Sequence, residues 1–314
     1  MKPHRIAALF AAAACAWAQS TSTTYQKDIN GRTAAVASSA TSAAGELTTE
    51  RFQNVNGRQV HLEQAAERVL RSDSKGKLTE RTIRKYDPSG RLASTERLLI
   101  EETPRSGGGS TVKETTFRST INGSFVEAQR RTSEIRVLGE TTSTEVKVER
   151  PGPNGGFTTA EQRSIRSTGP EQNQHTVEIV LRPDPAGRLR EARREETTLV
   201  AKDGHSTSNT ATYEPGVSGA LQLAHQAVST ITKRPDGSEL KETNLYSAAI
   251  PGRLQANGAA QQIEEQQILE RRTAPNGAVV EVLSVRRPTL ADPGRLGAAE
   301  KLSETVCQGK CSRP

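Results

Sequence analysis

The side chains able to do chemistry are plentiful but poorly placed for it. Seven of the 36 acidic residues are Asp: Asp28, Asp73, Asp87, Asp184, Asp203, Asp236 and Asp292. Each lies within three residues before a Gly, as in Asp87-Pro88-Ser89-Gly90, Asp184-Pro185-Ala186-Gly187 and Asp292-Pro293-Gly294. Asp in that position serves a turn: its carboxylate bonds the backbone two residues on, and the Gly takes a positive φ at no steric cost. Asp87, Gly90, Asp184, Gly187, Asp292 and Gly294 are therefore assigned as structural corners. Acid/base catalysis needs two carboxyls held at a set distance in a pocket, which scattered corners do not supply. The 29 Glu stand mostly beside Thr, Arg or another Glu, as in Glu101-Glu102 and Arg194-Glu195-Glu196, and are expected in cross-strand ion pairs.

Other chemical motifs fail on spacing. His61, His175, His205 and His225 lie 20 or more residues apart, without metal-ligand spacing. Ser110-Thr111-Val112-Lys113 fits S-x-x-K but follows Gly107-Gly108-Gly109 into strand text, where that motif needs a helix. Gly216-Val217-Ser218-Gly219-Ala220 lacks the second Gly of a nucleophile elbow, and the Gly107–Gly109 run lacks the G-K-[ST] of a phosphate loop. Asn122-Gly123-Ser124 fits a glycosylation sequon, yet Asn-Gly is first a hairpin corner. No catalytic, cofactor-binding or metal residue is assigned, and no cofactor is expected. Cys307 and Cys311 remain, expected as a disulfide that clips the C-terminal tail, with free thiols as the alternative. Metal binding would need further ligands.

The elements that would position these residues are strands. From about Thr49 turn signals recur, most of them 14 to 21 residues apart, including Asn56-Gly57, Ser74-Lys75-Gly76, Asn122-Gly123, Asp203-Gly204, Pro235-Asp236-Gly237 and Pro275-Asn276-Gly277. Two gaps, Gly123 to Gly155 and Gly155 to Gly187, are 32 residues, and missed turns near Gly139 and Gly169 would restore the rhythm. Between turns the text alternates at period two, as in Glu145-Val146-Lys147-Val148-Glu149 and Val280-Glu281-Val282-Leu283. Leu62–Leu70 and Ala259–Arg272 could form amphipathic helices, but both sit inside the turn rhythm and are assigned as strand. The expected fold class is all-β: an extended antiparallel meander of repeated β-hairpins, in a twisted or spiralling sheet, with a largely disordered chain carrying hairpin islands as the alternative.

Composition limits the core and the partners. Leu, Ile, Val and Phe supply 58 of 314 residues, too few for a thick two-sheet core. Met1 to Ala18 has a basic start, an apolar run and Ala16-Trp17-Ala18, the pattern of a secretory signal peptide cleaved after Ala18. Ala12-Ala13-Ala14-Cys15 offers a lipoprotein alternative through Cys15. The expected organisation is residues 1–18 as signal peptide, 19–48 as a Ser/Thr/Ala-rich arm, 49–305 as the hairpin region and 306–314 as the tail. Basic and acidic residues interleave, and eight aromatics remain beyond residue 18. A nucleic-acid surface would cluster its positive charge and add stacking aromatics, so nucleic acid is not expected as a partner. A membrane-spanning β-barrel would need an apolar band with aromatic girdles, so the chain is expected not to span a membrane.

Tyr86-Asp87-Pro88-Ser89-Gly90-Arg91-Leu92 resembles the core of a YD repeat, the unit of bacterial RHS-type proteins. Asp184-Pro185-Ala186-Gly187-Arg188-Leu189 and Asp292-Pro293-Gly294-Arg295-Leu296 echo it without the Tyr. The resemblance implies antiparallel hairpin sheets that can spiral into a shell around a cargo. The functional expectation is a secreted or cell-envelope, non-enzymatic scaffold or binding surface for a protein or polysaccharide partner. The alternative is a carbohydrate-active hydrolase with a site assembled from Glu and His across the sheet.

Overall fold

The computed structural model describes residues 19–27, 33–43, 45–55, 58–247, 262–289 and 295–309. They form eighteen strands: β1 (Gln19–Lys27), β2 (Thr33–Ala43), β3 (Glu46–Val55), β4 (Arg58–Asp73), β5 (Gly76–Tyr86) and β6 (Leu92–Pro104). Next come β7 (Gly109–Ser119), β8 (Phe125–Leu138), β9 (Thr141–Pro151), β10 (Phe157–Thr168), β11 (Asn173–Pro183) and β12 (Leu189–Lys202). The last are β13 (His205–Pro215), β14 (Leu221–Lys233), β15 (Glu239–Ser247), β16 (Gln262–Thr273), β17 (Val279–Arg286) and β18 (Glu300–Gln308). No helix occurs among the described residues, and the stretches with helical potential run as β4 and, from Gln262 onward, as β16.

Every strand pairs antiparallel with its chain neighbour, and β1 pairs back with β18, Thr24 opposite Thr305. The meander thus closes into an 18-stranded barrel. Closure removes the exposed edges that an open sheet of this length would carry. At a strand spacing of ~4.8 Å, such a ring is roughly 27 Å across before strand tilt widens it further.

The strands extend beyond residues 49–305 on both sides. Residues 19–48, expected as an arm, supply β1, β2 and the start of β3, and β18 runs on through Gln308 into the expected tail. The reason is chemical. The Ser/Thr text looks weakly specified, yet Thr is a good strand residue, and its hydroxyls bond across the seam, with Thr24 Oγ1 2.9 Å from Thr305 Oγ1. Residues 1–18, expected as a signal peptide, lie outside the described residues.

Register exposes a repeat of two strands. The turns at 87–91, 120–124, 152–156, 184–188 and 216–220 all lie on one rim, here the upper one. Gly123, Gly155, Gly187 and Gly219 recur there at intervals of 32 residues, each with φ of 78°. Below each, the descending strand carries a β-bulge, at Ala128, Ala160, Ala192 and Ala224, again 32 apart. Gly139 and Gly169 make the opposing lower-rim turns, so each interval of 32 is one hairpin pair.

The wall has almost no core. Only Ala65, Val146, Val180, Ala278, Val280 and Val285 are buried hydrophobics among the described residues. The backbone ladder and long Arg and Glu side chains lying over the sheet do the work that an interior does elsewhere. The two faces differ in shelter. Along β13, His205, Thr207 and Asn209 are exposed while Ser206, Ser208 and Thr210 are half-buried. Following register around the wall, Ala65, Thr79, Ser133, Val146 and Val180 all fall on the face of Ser206. This shielded face has the crowding of a concave side; the opposite one is termed the open face.

Candidate functional site

The corner residues act on their own backbone. Asp87 Oδ1 accepts from the Ser89 amide at 2.9 Å, the Ser89 hydroxyl at 2.7 Å and the Arg91 amide at 2.9 Å. Asp184 accepts from the amides of Ala186 at 2.9 Å and Arg188 at 3.0 Å, and from Arg190 Nε at 2.8 Å. These bonds hold both carboxyls below the usual range, led by the Ser89 hydroxyl at Asp87 and by Arg190 at Asp184. Gly90 and Gly187 take the left-handed turn position with φ of 82° and 78°. Asp292 and Gly294 lie outside the described residues, as does Cys311. Cys307 sits near the end of β18, opposite Ser22 and Val279.

What the turns position is an aromatic band. Tyr25, Phe52, Tyr86, Phe117, Phe125, Phe157, Tyr213 and Tyr246 are all the aromatics beyond residue 18. Every one lies within three residues of the upper end of its strand. Traced through the registers, every one is on the open face. The bulges produce this alignment. Phe52, Tyr86, Phe117, Tyr213 and Tyr246 each pair with the residue immediately rimward of the bulge on the next strand. Leu181 holds the same place on β11.

Local contacts set the orientation of the rings. His61 is sandwiched between Phe52 and Tyr86, with centroids 4.6 and 4.4 Å apart and planes within 16°. Its Nε2 is buried without a hydrogen-bond partner. The Arg130 guanidinium lies 4.0 Å from the centre of the Phe157 ring, a cation–π contact. Tyr25 and Phe125 are each 43% exposed, and the other six are half-buried.

Below the band, both faces are laced with ion pairs. On the open face Glu80 accepts from Arg68 at 2.9 Å and from Arg97, and Glu134 from Arg105 at 2.9 Å and Arg136 at 3.3 Å. On the shielded face Glu161 joins Arg163 and Arg182, and Glu178 joins Arg163 and Arg193. Burial pushes the Glu80 and Glu161 carboxyls up, but the arginine hydrogen bonds outweigh it and hold both below the ordinary range. Among the described residues, Glu80, Asp87, Glu127, Glu134, Glu161, Asp184 and Asp236 are all held below the ordinary carboxylate range by hydrogen bonds from arginine, hydroxyl or backbone donors. A general acid requires the opposite shift.

His205 meets Thr232 at 3.3 Å on the lower rim, far along the wall from His61. No three His, Cys, Asp or Glu side chains gather as a metal site among the described residues. No helix among the described residues is long and apolar enough to cross a membrane. No protein-family model matches the chain, and no curated protein sequence matches it. The aromatic band escapes a linear reading because its eight rings are spread from residue 25 to residue 246. The available signal was the period: Phe125 and Phe157 are 32 apart, as are Leu189 and Leu221.

Proposed function

We propose that the chain is a non-enzymatic binding scaffold of the secreted or cell-envelope space, and that its aromatic upper rim grips a polysaccharide. The observation that carries this reading is the confinement of all eight aromatics to one face at one rim. Flat side chains with two torsions give large contact area at small entropic loss, and Tyr adds a hydroxyl at its tip. Consecutive odd strands are ~9.6 Å apart, so rings on them form a stepped platform for an extended chain instead of a pocket for one small molecule. Thr, Gln and Arg neighbours provide the hydrogen bonds that a hydroxyl-rich ligand needs.

Two further features support a scaffold over a hydrolase. Carboxyls held ionised by arginine lack the raised pKa of a proton donor. The wall itself belongs in water: a membrane-crossing barrel turns an apolar band to lipid, whereas both faces here carry arginine–glutamate networks. The likeness of Tyr86–Leu92 to a YD repeat is compatible with this reading, as is export directed by the residue 1–18 leader.

Affinity electrophoresis of the chain from Gln19 onward against neutral and acidic polysaccharides tests the proposal. At least one polymer is expected to retard the protein, and the triple variant Y86A/F117A/Y213A is expected to migrate freely. Release of new reducing ends from a polymer, or retardation unchanged by the triple substitution, would reject it.

A further inference from the structure

We infer that the shielded face carries a second site, which binds an oxyanion group (phosphate, sulfate or carboxylate) through Arg131, Arg150, Arg163 and Arg182. These four line a cavity of about 460 Å³ between β8 and β11, floored by Val146 and Val148. Glu161 is the sole carboxylate lining it; Arg163 also reaches Glu178 at 3.3 Å and Arg131 faces Glu114 at 3.6 Å, so four guanidiniums meet three carboxylates.

The hydrogen bonds show where donors are spare. Glu161 takes three of these donors: Arg182 Nε and Nη2 both reach Oε2 at 3.1 Å, and Arg163 Nη2 reaches Oε1 at 2.9 Å. Those bonds fix two guanidinium planes at the cavity wall. Arg150, by contrast, has only a neutral acceptor, Gln129 Oε1 at 3.2 Å. Arg131 stands 3.6 Å from Glu114, too far for a good hydrogen bond. Arg163 Nε is buried with no acceptor. A guanidinium offers five donors in a rigid fork that matches the oxygens of a phosphate, sulfate or carboxylate. The cavity therefore has a surplus of charge and of directed donors, together with room for a ligand.

Repetition explains how the surplus arises. Arg118, Arg150 and Arg182 occupy one position of the 32-residue unit, and Arg131 and Arg163 occupy another. Two adjacent units thus set two pairs of arginines side by side. The next unit places Glu214 and Glu195 at those positions, which ends the basic stripe. The site lies on the face opposite the aromatic band, so it stands or falls independently of the polysaccharide reading.

Isothermal titration of the chain from Gln19 onward with inorganic phosphate and with inorganic sulfate at low salt tests the inference. A sulfated polysaccharide is titrated in parallel. One saturable site is expected, weakened about tenfold or more in Arg150→Gln and in Arg131→Gln, since a charged hydrogen bond contributes that much. Arg136→Gln, on the open face, is expected to bind as the unaltered chain does, and urea midpoints for all variants report that the wall is intact. Arg150-dependent binding of the free ions assigns the site to the oxyanion itself. Arg150-dependent binding of the polymer alone assigns it to a chain-borne group. Absence of binding by all three probes, or equal affinity across the Arg variants, would overturn the inference.

Discussion

Glycines at the two rims should respond very differently to the same substitution. Gly187 has φ of 78°, and a Cβ built there meets nothing within 4 Å. Gly187→Ala therefore bears only the left-handed penalty of ~1–2 kcal/mol, partly offset by ~0.4–1 kcal/mol from a stiffer unfolded chain. The net loss is about 1 kcal/mol. Gly109, with φ of 96°, lies against β8: an added Cβ would stand 2.1 Å from the Ile135 carbonyl oxygen and 2.8 Å from its carbon. Those atoms are backbone and can yield only if the strand moves. An overpacking cost of ~1–3 kcal/mol then adds to the same net φ loss, for a total of about 2–4 kcal/mol. Urea unfolding followed by far-UV circular dichroism reads the contrast, with a midpoint shift for Gly109→Ala about three times that for Gly187→Ala. Gly187→Asn is expected to recover part of the loss, because Asn tolerates the left-handed region. Equal shifts for the two Ala variants would refute the assigned strand contact, and a larger shift at Gly187 would refute the whole registry of that hairpin.

Other consequences follow from the charge network and the tail. The Glu80 carboxyl is held below its ordinary value of 4.5, so its contribution is present above that pH and is lost as pH falls through the lower folded value. Glu80→Gln should therefore flatten the acid limb of a stability–pH curve while costing at most ~1 kcal/mol at pH 7, because Arg68 and Arg97 are 58% and 41% exposed. An acid limb unchanged in the variant would contradict the assignment. Cys307 and Cys311 are expected as a disulfide, so mass spectrometry after alkylation should find both blocked only after reduction. Given the small loop enclosed, reduction should move the unfolding midpoint little.

Much of the architecture is legible in the sequence because it is written locally. Turns such as Asp87–Gly90 and Asp184–Gly187 depend on residues within four positions of one another, and the period-two text of Glu145–Glu149 fixes a strand with no tertiary help. The 32-residue gaps around Gly155 likewise announced the hidden corners at Gly139 and Gly169. Closure was not legible. Whether Thr24 meets Thr305 depends on twist summed over sixteen intervening strands, and no single residue encodes it. The aromatic band was hidden for a related reason. Counting eight aromatics argues against a girdle, but the count says nothing of their placement, which arises only when bulges such as Ala128 and Ala224 bring distant rings to one height. The arginine cavity needs the same register, since Arg131 and Arg182 are 51 residues apart in the chain.

The closed ring is most directly tested at its seam. In a chain whose native cysteines are replaced by Ser, Thr24→Cys and Thr305→Cys would be introduced together; the two hydroxyl oxygens they replace are 2.9 Å apart although 281 positions separate the residues. Facing strand positions lie within disulfide reach. Mild oxidation is expected to give a near-quantitative intramolecular crosslink, seen as a faster-migrating band on non-reducing gels. Two free thiols after oxidation, or crosslinks only between molecules, would mean that β1 and β18 do not meet and that the sheet is open.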